Sequence, residues 1–262
     1  MEEGLLYYKL RNQKATSMKK IEGGLSNRTY LINNEEVLRI KEPSDPFFYK
    51  PMEEKKIIEA AMKEGLAPKL LAFDEKTGNL VAEYLSASSF LGPTASLEDA
   101  KKVLVLLDKF HESQGSFVPF DLWGRYAYYE KESLESPFPN EERLLDRTKR
   151  MLVGEKLVLC HNDVVAGNVL KKDDGSLSLI DYEFAGLNYP EFDKASLFSE
   201  NGLSESLIAS LLPKSDEKTR LLIKVANRLW FYWAKWRYLK TGNTVFLKIA
   251  GEKKAAIDKE NH

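Results

Sequence analysis

The feature that most constrains what this chain can fold into is the stretch Leu159-Cys-His-Asn-Asp-Val-Val-Ala-Gly-Asn168, followed by Leu179-Ile-Asp-Tyr-Glu183. Asp163 and Asn168 stand five residues apart in what reads as a short loop, and Asp181 follows a hairpin whose turn is Asp173-Asp174-Gly175. Transfer of a phosphoryl group to a hydroxyl needs an acid that accepts the hydroxyl proton and oxygen ligands for a divalent ion. A fold that serves this chemistry must close the strand, loop and hairpin so that Asp163, Asn168 and Asp181 converge. Turn capping and strand ending account for each residue singly. They do not account for the His161-x-Asp163 pair, Asn168 and an apolar-Asp-aromatic-Glu run together in one strand–turn–strand frame. Asp163 is therefore expected as the base and Asn168 and Asp181 as metal ligands, with Glu183 assisting directly or through water. His161 is placed in the same catalytic loop, orienting it by hydrogen bonding more than transferring protons.

Composition closes off other classes. The chain has 262 residues, enough for one domain or two closely joined lobes and for a sizeable core. A hydrophobic content of 43%, a charged content of 30% and a net charge of −1 are ordinary for a globular protein. They give no reason to expect nucleic acid or an anionic membrane as partner. No run approaches the ~20 apolar residues of a membrane span, and Met-Glu-Glu-Gly lacks a secretory pattern, so a cytoplasmic protein is expected. The single cysteine, Cys160, excludes an internal disulfide framework and a cysteine-built zinc site.

Along the chain, residues 1–14 fit either a helix or an extended arm. Strands are expected from Lys19 into the glycine turn, over Arg28–Ile32 and over Glu36–Lys41, with Asn33-Asn34 as a tight hairpin. Pro51–Glu64 reads as a helix stopped by Gly65. A strand pair, Lys69–Phe73 and Asn79–Leu85, joins at Thr77-Gly78. Beyond it helices dominate: Ser96–Ser113 with Ser96 as cap, Glu141–Leu152, and segments near 190–200, 204–212, 216–240 and 243–258. The expected class is α+β, a two-lobed protein kinase-like fold with a small β-sheet lobe carrying one helix (1–84) and a mainly helical lobe (85–262). Extended backbone from Glu83 to Leu85 would face a purine edge with a carbonyl and an amide.

Further parts of a phosphotransfer site follow. Gly23-Gly24-Leu25-Ser26-Asn27 lies between two strands, where glycines let amides approach phosphate oxygens. On Glu36–Lys41 the side chains alternate, so Val37, Arg39 and Lys41 share one face. Arg39, mid-strand, is the better phosphate-facing cation and Lys41 the competitor. Glu54 is the expected carboxylate partner on the following helix, with Glu53 second. Trp230 and Trp233, three apart on one long helix, are either core or a wall for a cationic ligand.

These blocks resemble the choline/ethanolamine kinases, particularly the bacterial LicA-type choline kinases within the aminoglycoside-phosphotransferase-like group. The resemblance runs from Gly23 to about Lys240 and rests on four blocks. They are Gly-Gly-Leu-Ser-Asn at 23–27, Val-Leu-Arg-Ile at 37–40 with the helix leading to Ala67-Pro-Lys-Leu70, His161 to Asn168, and Ile180 to Asp193. It implies ATP and Mg²⁺ as cofactors, Asp163 as base, Asn168 and Asp181 as metal ligands, and Arg39 over Lys41. It also implies Glu54 as the helix glutamate, Glu200 as an acid near the substrate amine, and Trp230 and Trp233 as pocket wall. The chain lacks the first-lobe insertions of eukaryotic members, and Asn201-Gly-Leu-Ser204 has no clear family match. The expectation is an ATP-dependent kinase for the hydroxyl of choline. Ethanolamine, thiamine or an aminoglycoside are alternative acceptors, and a non-catalytic kinase-like binding protein is the second reading.

Overall fold

The computed structural model describes residues 2–21, 27–42 and 47–260. The chain opens with helix α1 (Glu2–Arg11), which settles the choice left by the sequence. Strands β1 (Met18–Ile21), β2 (Asn27–Ile32) and β3 (Glu36–Lys41) follow. Asn33 and Asn34 take φ of 53° and 60°, the left-handed conformations of a tight turn closed by Glu35 N on Ile32 O, within a three-residue connection that pairs Ile32 with Glu36. Helix α2 (Pro51–Lys63) ends at Gly65, whose φ is 72°. Strands β4 (Leu70–Phe73) and β5 (Leu80–Glu83) complete an antiparallel sheet of order β1-β2-β3-β5-β4.

The two faces of this sheet go different ways. Leu38 and Ile40 on β3 and Val81 on β5 pack with Ile32 and with Tyr7 from α1. Leu80 and Ala82, on the opposite face of β5, pack with Ile57, Ile58 and Ala61 of α2. The sheet thus carries a second helix beyond the one expected. Val37, Arg39 and Lys41, alternating with the α1-facing residues, point the other way.

Past β5 the chain enters β6 (Ala87–Ser89), which pairs with β8 (Val169–Lys172) and through it with β9 (Leu177–Leu179). Helix α3 (Leu97–His111) starts in a capping box between Ser96 and Asp99. Helices α4 (Leu122–Glu132) and α5 (Glu141–Met151) lead to β7 (Val158–Cys160), which pairs with β10 (Gly186–Asn188). Helices α6 (Pro190–Glu200), α7 (Glu205–Leu211), α8 (Glu217–Thr241) and α9 (Val245–Lys259) finish the chain. Among the described residues no helix is long and apolar enough to cross a membrane.

Two apolar clusters hold the helical body, and one of them packs against the loop after β7. One joins α2 and α3 to Leu159, Val164, Val169, Leu179 and Tyr182 around that loop. The other gathers aromatic residues of α4, α8 and α9 with Phe120 and Phe192. The carbonyl of Leu66, just past α2, accepts from Leu179 N at 2.7 Å and Ser178 Oγ at 3.1 Å, tying sheet and hairpin together. The backbone therefore brings β3, α2 and the Asp181 turn to one cleft.

Candidate active site

Arg39 is buried, and its guanidinium meets both carboxylate oxygens of Glu54 on α2, at 2.6 and 2.7 Å. Its remaining contacts are Asp181 Oδ1 at 3.2 Å and the Gly78 carbonyl at 3.1 Å. Tyr49 also donates to Glu54, at 2.6 Å. Arg39 holds Glu54 below the usual carboxylate range despite burial that pushes the other way. Removing one member of such a buried pair costs about 3–5 kcal/mol, because the survivor is left charged and dry.

The second half of the site is the loop after β7. Asn168 donates through Nδ2 to the Asp163 carbonyl at 3.0 Å and to its Oδ2 at 2.9 Å. That arrangement commits the amide nitrogen to Asp163 and leaves Oδ1 as the end of the side chain suited to a hard cation. Burial pushes the Asp163 carboxyl well above its ordinary range, and the charges of Asp181, Glu200 and Glu183 push it further. Asp181 sits at φ 64°, a left-handed conformation that a non-glycine residue holds only where its surroundings enforce it. Its carboxyl is pushed up to about 6 by burial and by Glu183, against the pull of Arg39 and Lys41. Asn27 reaches the same Asp181 oxygen at 3.5 Å. Glu183 is paired with Lys41 of β3, and both side chains are buried. Asp163 lies near enough to Asp181 and Glu183 to feel their charges, and Asn168 is bonded to it, so oxygen donors of the kind Mg²⁺ takes face one cleft.

His161 lies beneath the loop. Its ring nitrogen Nε2 is 3.0 Å from the Ile180 carbonyl, and burial pushes its pKa down, so the ring is neutral and donates that bond. The loop backbone is fixed by a residue given no role in the sequence reading, Asp193 of α6. It accepts His161 N at 2.9 Å and Asn162 N at 2.7 Å, and it meets His111 Nε2 at 2.9 Å. Asn162, at φ 66°, donates to the Phe184 carbonyl at 2.9 Å and accepts from Asn188 at 2.7 Å. The Phe192-Asp193 pair was visible in the sequence, but its partners lie some thirty positions away (His161 and Asn162).

Trp230 and Trp233 do meet, with ring centroids 5.7 Å apart and planes at 88°. Phe184, three residues after Asp181, packs on both at 5.3 and 6.2 Å, and all three belong to the apolar cluster of α4, α8 and α9. Trp230 is buried and Trp233 partly exposed. Glu200 ends α6 and is engaged by Lys253 of α9 at 2.5 Å and by Ser199 at 3.0 Å. Its carboxylate is therefore already matched by a lysine more than fifty positions away, which no local pattern records. At the end of β5 the Glu83 amide serves Lys69 O and the Tyr84 amide serves Glu35 O, so Leu85 is the first residue past the sheet. Gly23, Gly24 and Ser26 lie outside the described residues.

A small antiparallel sheet above a helical body, with a strand arginine clamped by a helix glutamate and an acidic turn between the two, defines a kinase-like phosphotransferase fold. A family model described as "Phosphotransferase enzyme family" matches residues 17–214, and the chain belongs to that family. Protein LicA of Haemophilus influenzae is 28% identical over 201 residues, covering 67% of this chain and 75% of that protein. Ethanolamine kinase 2 of Rattus norvegicus is 33% identical over 153 residues, 52% of this chain but 39% of the relative. The crystal structure of choline kinase LicA from Streptococcus pneumoniae shares the fold at a TM-score of 0.80 and 22% identity, covering 98% of this chain and 99% of that one.

Proposed function

We propose that this protein transfers the terminal phosphoryl group of ATP to the hydroxyl of choline, with Mg²⁺ in the cleft. The observation that carries this reading is the joining of Arg39 and Asp181 across the cleft, within the same acidic cluster as Asp163. Asp163 orients the acceptor hydroxyl and takes its proton; a carboxyl with a raised pKa is a stronger base than an ordinary one. Asn168, Asp181 and Glu183 hold the metal, which when bound neutralises charge on the phosphates. Arg39, locked by Glu54, faces the phosphate chain, and the backbone from Glu83 to Leu85 faces the purine. Residues 1–84 then form the nucleotide-binding lobe and 85–262 the catalytic and acceptor lobe. Catalysis on these terms is mostly positioning and electrostatics.

Phe184, Trp230 and Trp233 supply aromatic faces, which favour a quaternary ammonium over a primary one. Names borne by relatives, choline kinase LicA and ethanolamine kinase 2, point to the same pair of amino alcohols. The test is an ATP-coupled assay with choline, ethanolamine, thiamine and an aminoglycoside, run on wild type and Trp233→Ala. Choline should give the highest kcat/KM, and W233A should raise its KM about tenfold, the worth of one desolvated cation–π contact. Turnover of ethanolamine above choline, unaffected by W233A, would reassign the tryptophans to core.

A further inference from the structure

Lys41 has a place in the cleft that the phosphotransfer reading above does not use. It closes β3 and stands directly opposite Asn27 in the β2–β3 register. Its face of the strand is that of Arg39, one pleat away or roughly 7 Å. Its backbone amide is fixed by Asn79 Oδ1 at 2.9 Å. The ammonium is buried, lies 4.5 Å from the ring centroid of Tyr49, and pairs with Glu183 across the cleft. Tyr49 in turn donates to Glu54, so Lys41 and Arg39 are braced by the same tyrosine–glutamate couple.

We propose that Lys41 is a second nucleotide-facing cation, held by Glu183 until a divalent ion takes that carboxylate, and then turned to phosphate oxygens. Charge balance supports the exchange. Asp181 and Glu183 carry two negative charges; Arg39 is shared between Glu54 and Asp181, while Lys41 pairs with Glu183. A divalent ion supplies both charges at once and competes with the ammonium for Glu183. Arg39 stays anchored by its two bonds to Glu54, whereas Lys41 is a point charge on a flexible stem and can turn. The released ammonium then meets the nearest uncompensated anion, a phosphate oxygen of the nucleotide facing Arg39. The inference rests on the proposed use of ATP and Mg²⁺.

Metal and nucleotide affinities test it separately from turnover. Free Mn²⁺ is followed by electron paramagnetic resonance without nucleotide, and a non-hydrolysable ATP analogue is titrated by calorimetry with and without Mg²⁺. Lys41→Met should bind Mn²⁺ about threefold or more tighter, since a competitor is gone. It should bind the analogue with Mg²⁺ about tenfold more weakly, the loss of one charge-assisted hydrogen bond. Lys41→Arg should restore analogue binding. Glu183→Gln, which keeps the lysine and serves if K41M does not fold, should bind the analogue more tightly than wild type in metal-free solution. That gain should vanish in the double variant. Unchanged analogue affinity or weaker Mn²⁺ binding in K41M overturns the exchange, as does a metal-free gain that survives in the double variant. A wild-type protein that binds no analogue under any condition overturns the phosphotransfer reading itself, along with this inference.

Discussion

Asp163 carries opposing demands in one side chain. Its carboxyl is half-buried among Asp181, Glu200 and Glu183, and desolvation with their charges raises its pKa, which makes it a better proton acceptor. The same surroundings make its ionised form costly to the fold. A carboxyl whose folded pKa exceeds its unfolded value binds more protons when folded. The cost is therefore complete above the folded pKa and disappears as pH falls toward the unfolded value near ~4. Asp163→Asn should remove that cost. At neutral pH the ligand-free variant should gain about 1 kcal/mol, roughly 2–4 °C in Tm for a chain of this size. The gain should shrink as pH is lowered, because wild-type Asp163 is then protonated too. Turnover should fall about 10²–10⁴-fold. Differential scanning calorimetry across pH, beside a coupled assay, measures both; a D163N variant less stable than wild type at neutral pH would contradict the sign.

Among the elements, α6 holds the loop that follows β7. Asp193 gives the amides of His161 and Asn162 their acceptors and meets His111, so three groups from two other elements close on one carboxylate. Asp193→Asn replaces one acceptor oxygen with a donor and leaves a buried group unpaired, at about 1–3 kcal/mol. Urea unfolding should show that loss, and kcat should fall more than the KM for ATP, because the loop and not the nucleotide cleft is displaced. The hairpins, α2, α3 and the helices after α5 were legible from local signals: Asn33-Asn34, Pro51 with Gly65, and the Ser96 cap all act within a few residues. So was the convergence of Asp163, Asn168 and Asp181, because a loop and one hairpin span it. Helix α4 escaped notice, since Gly124 and a run of tyrosines blur its period. Gly124 is there because Asp121 Oδ1 accepts its amide at 3.1 Å, and a Cβ would collide with that carboxylate. Asp193, Phe184 and Lys253 owe their places to contacts between residues far apart in sequence, and no local pattern records those. Alternation placed Arg39 and Lys41 on one face correctly, yet only the cross-cleft pairing tells their partners apart.

Among the described residues, three apolar clusters of unequal size hold the molecule together. The smallest, Tyr7 with Ile32, Leu38, Ile40 and Val81, lies between α1 and the sheet and shares no buried residue with the other two. Tyr7→Ala should cost about 3 kcal/mol, within the range for emptying a buried aromatic site. The loss should be local. Hydrogen exchange should quicken first in β2 and β3, while α8 keeps its protection, and ATP affinity should drop before the helical body melts. Simultaneous loss of protection in α8 would show one cooperative unit instead. At the far end of the molecule, the final helix reaches back to match Glu200 with Lys253, beside the cluster that surrounds Asp163. A single replacement on that outlying helix would alter the ionic character next to Asp163 while sparing every group assigned to the nucleotide. Changes of acceptor among kinases built this way are therefore open to drift at their periphery, without rebuilding the chemistry at their centre.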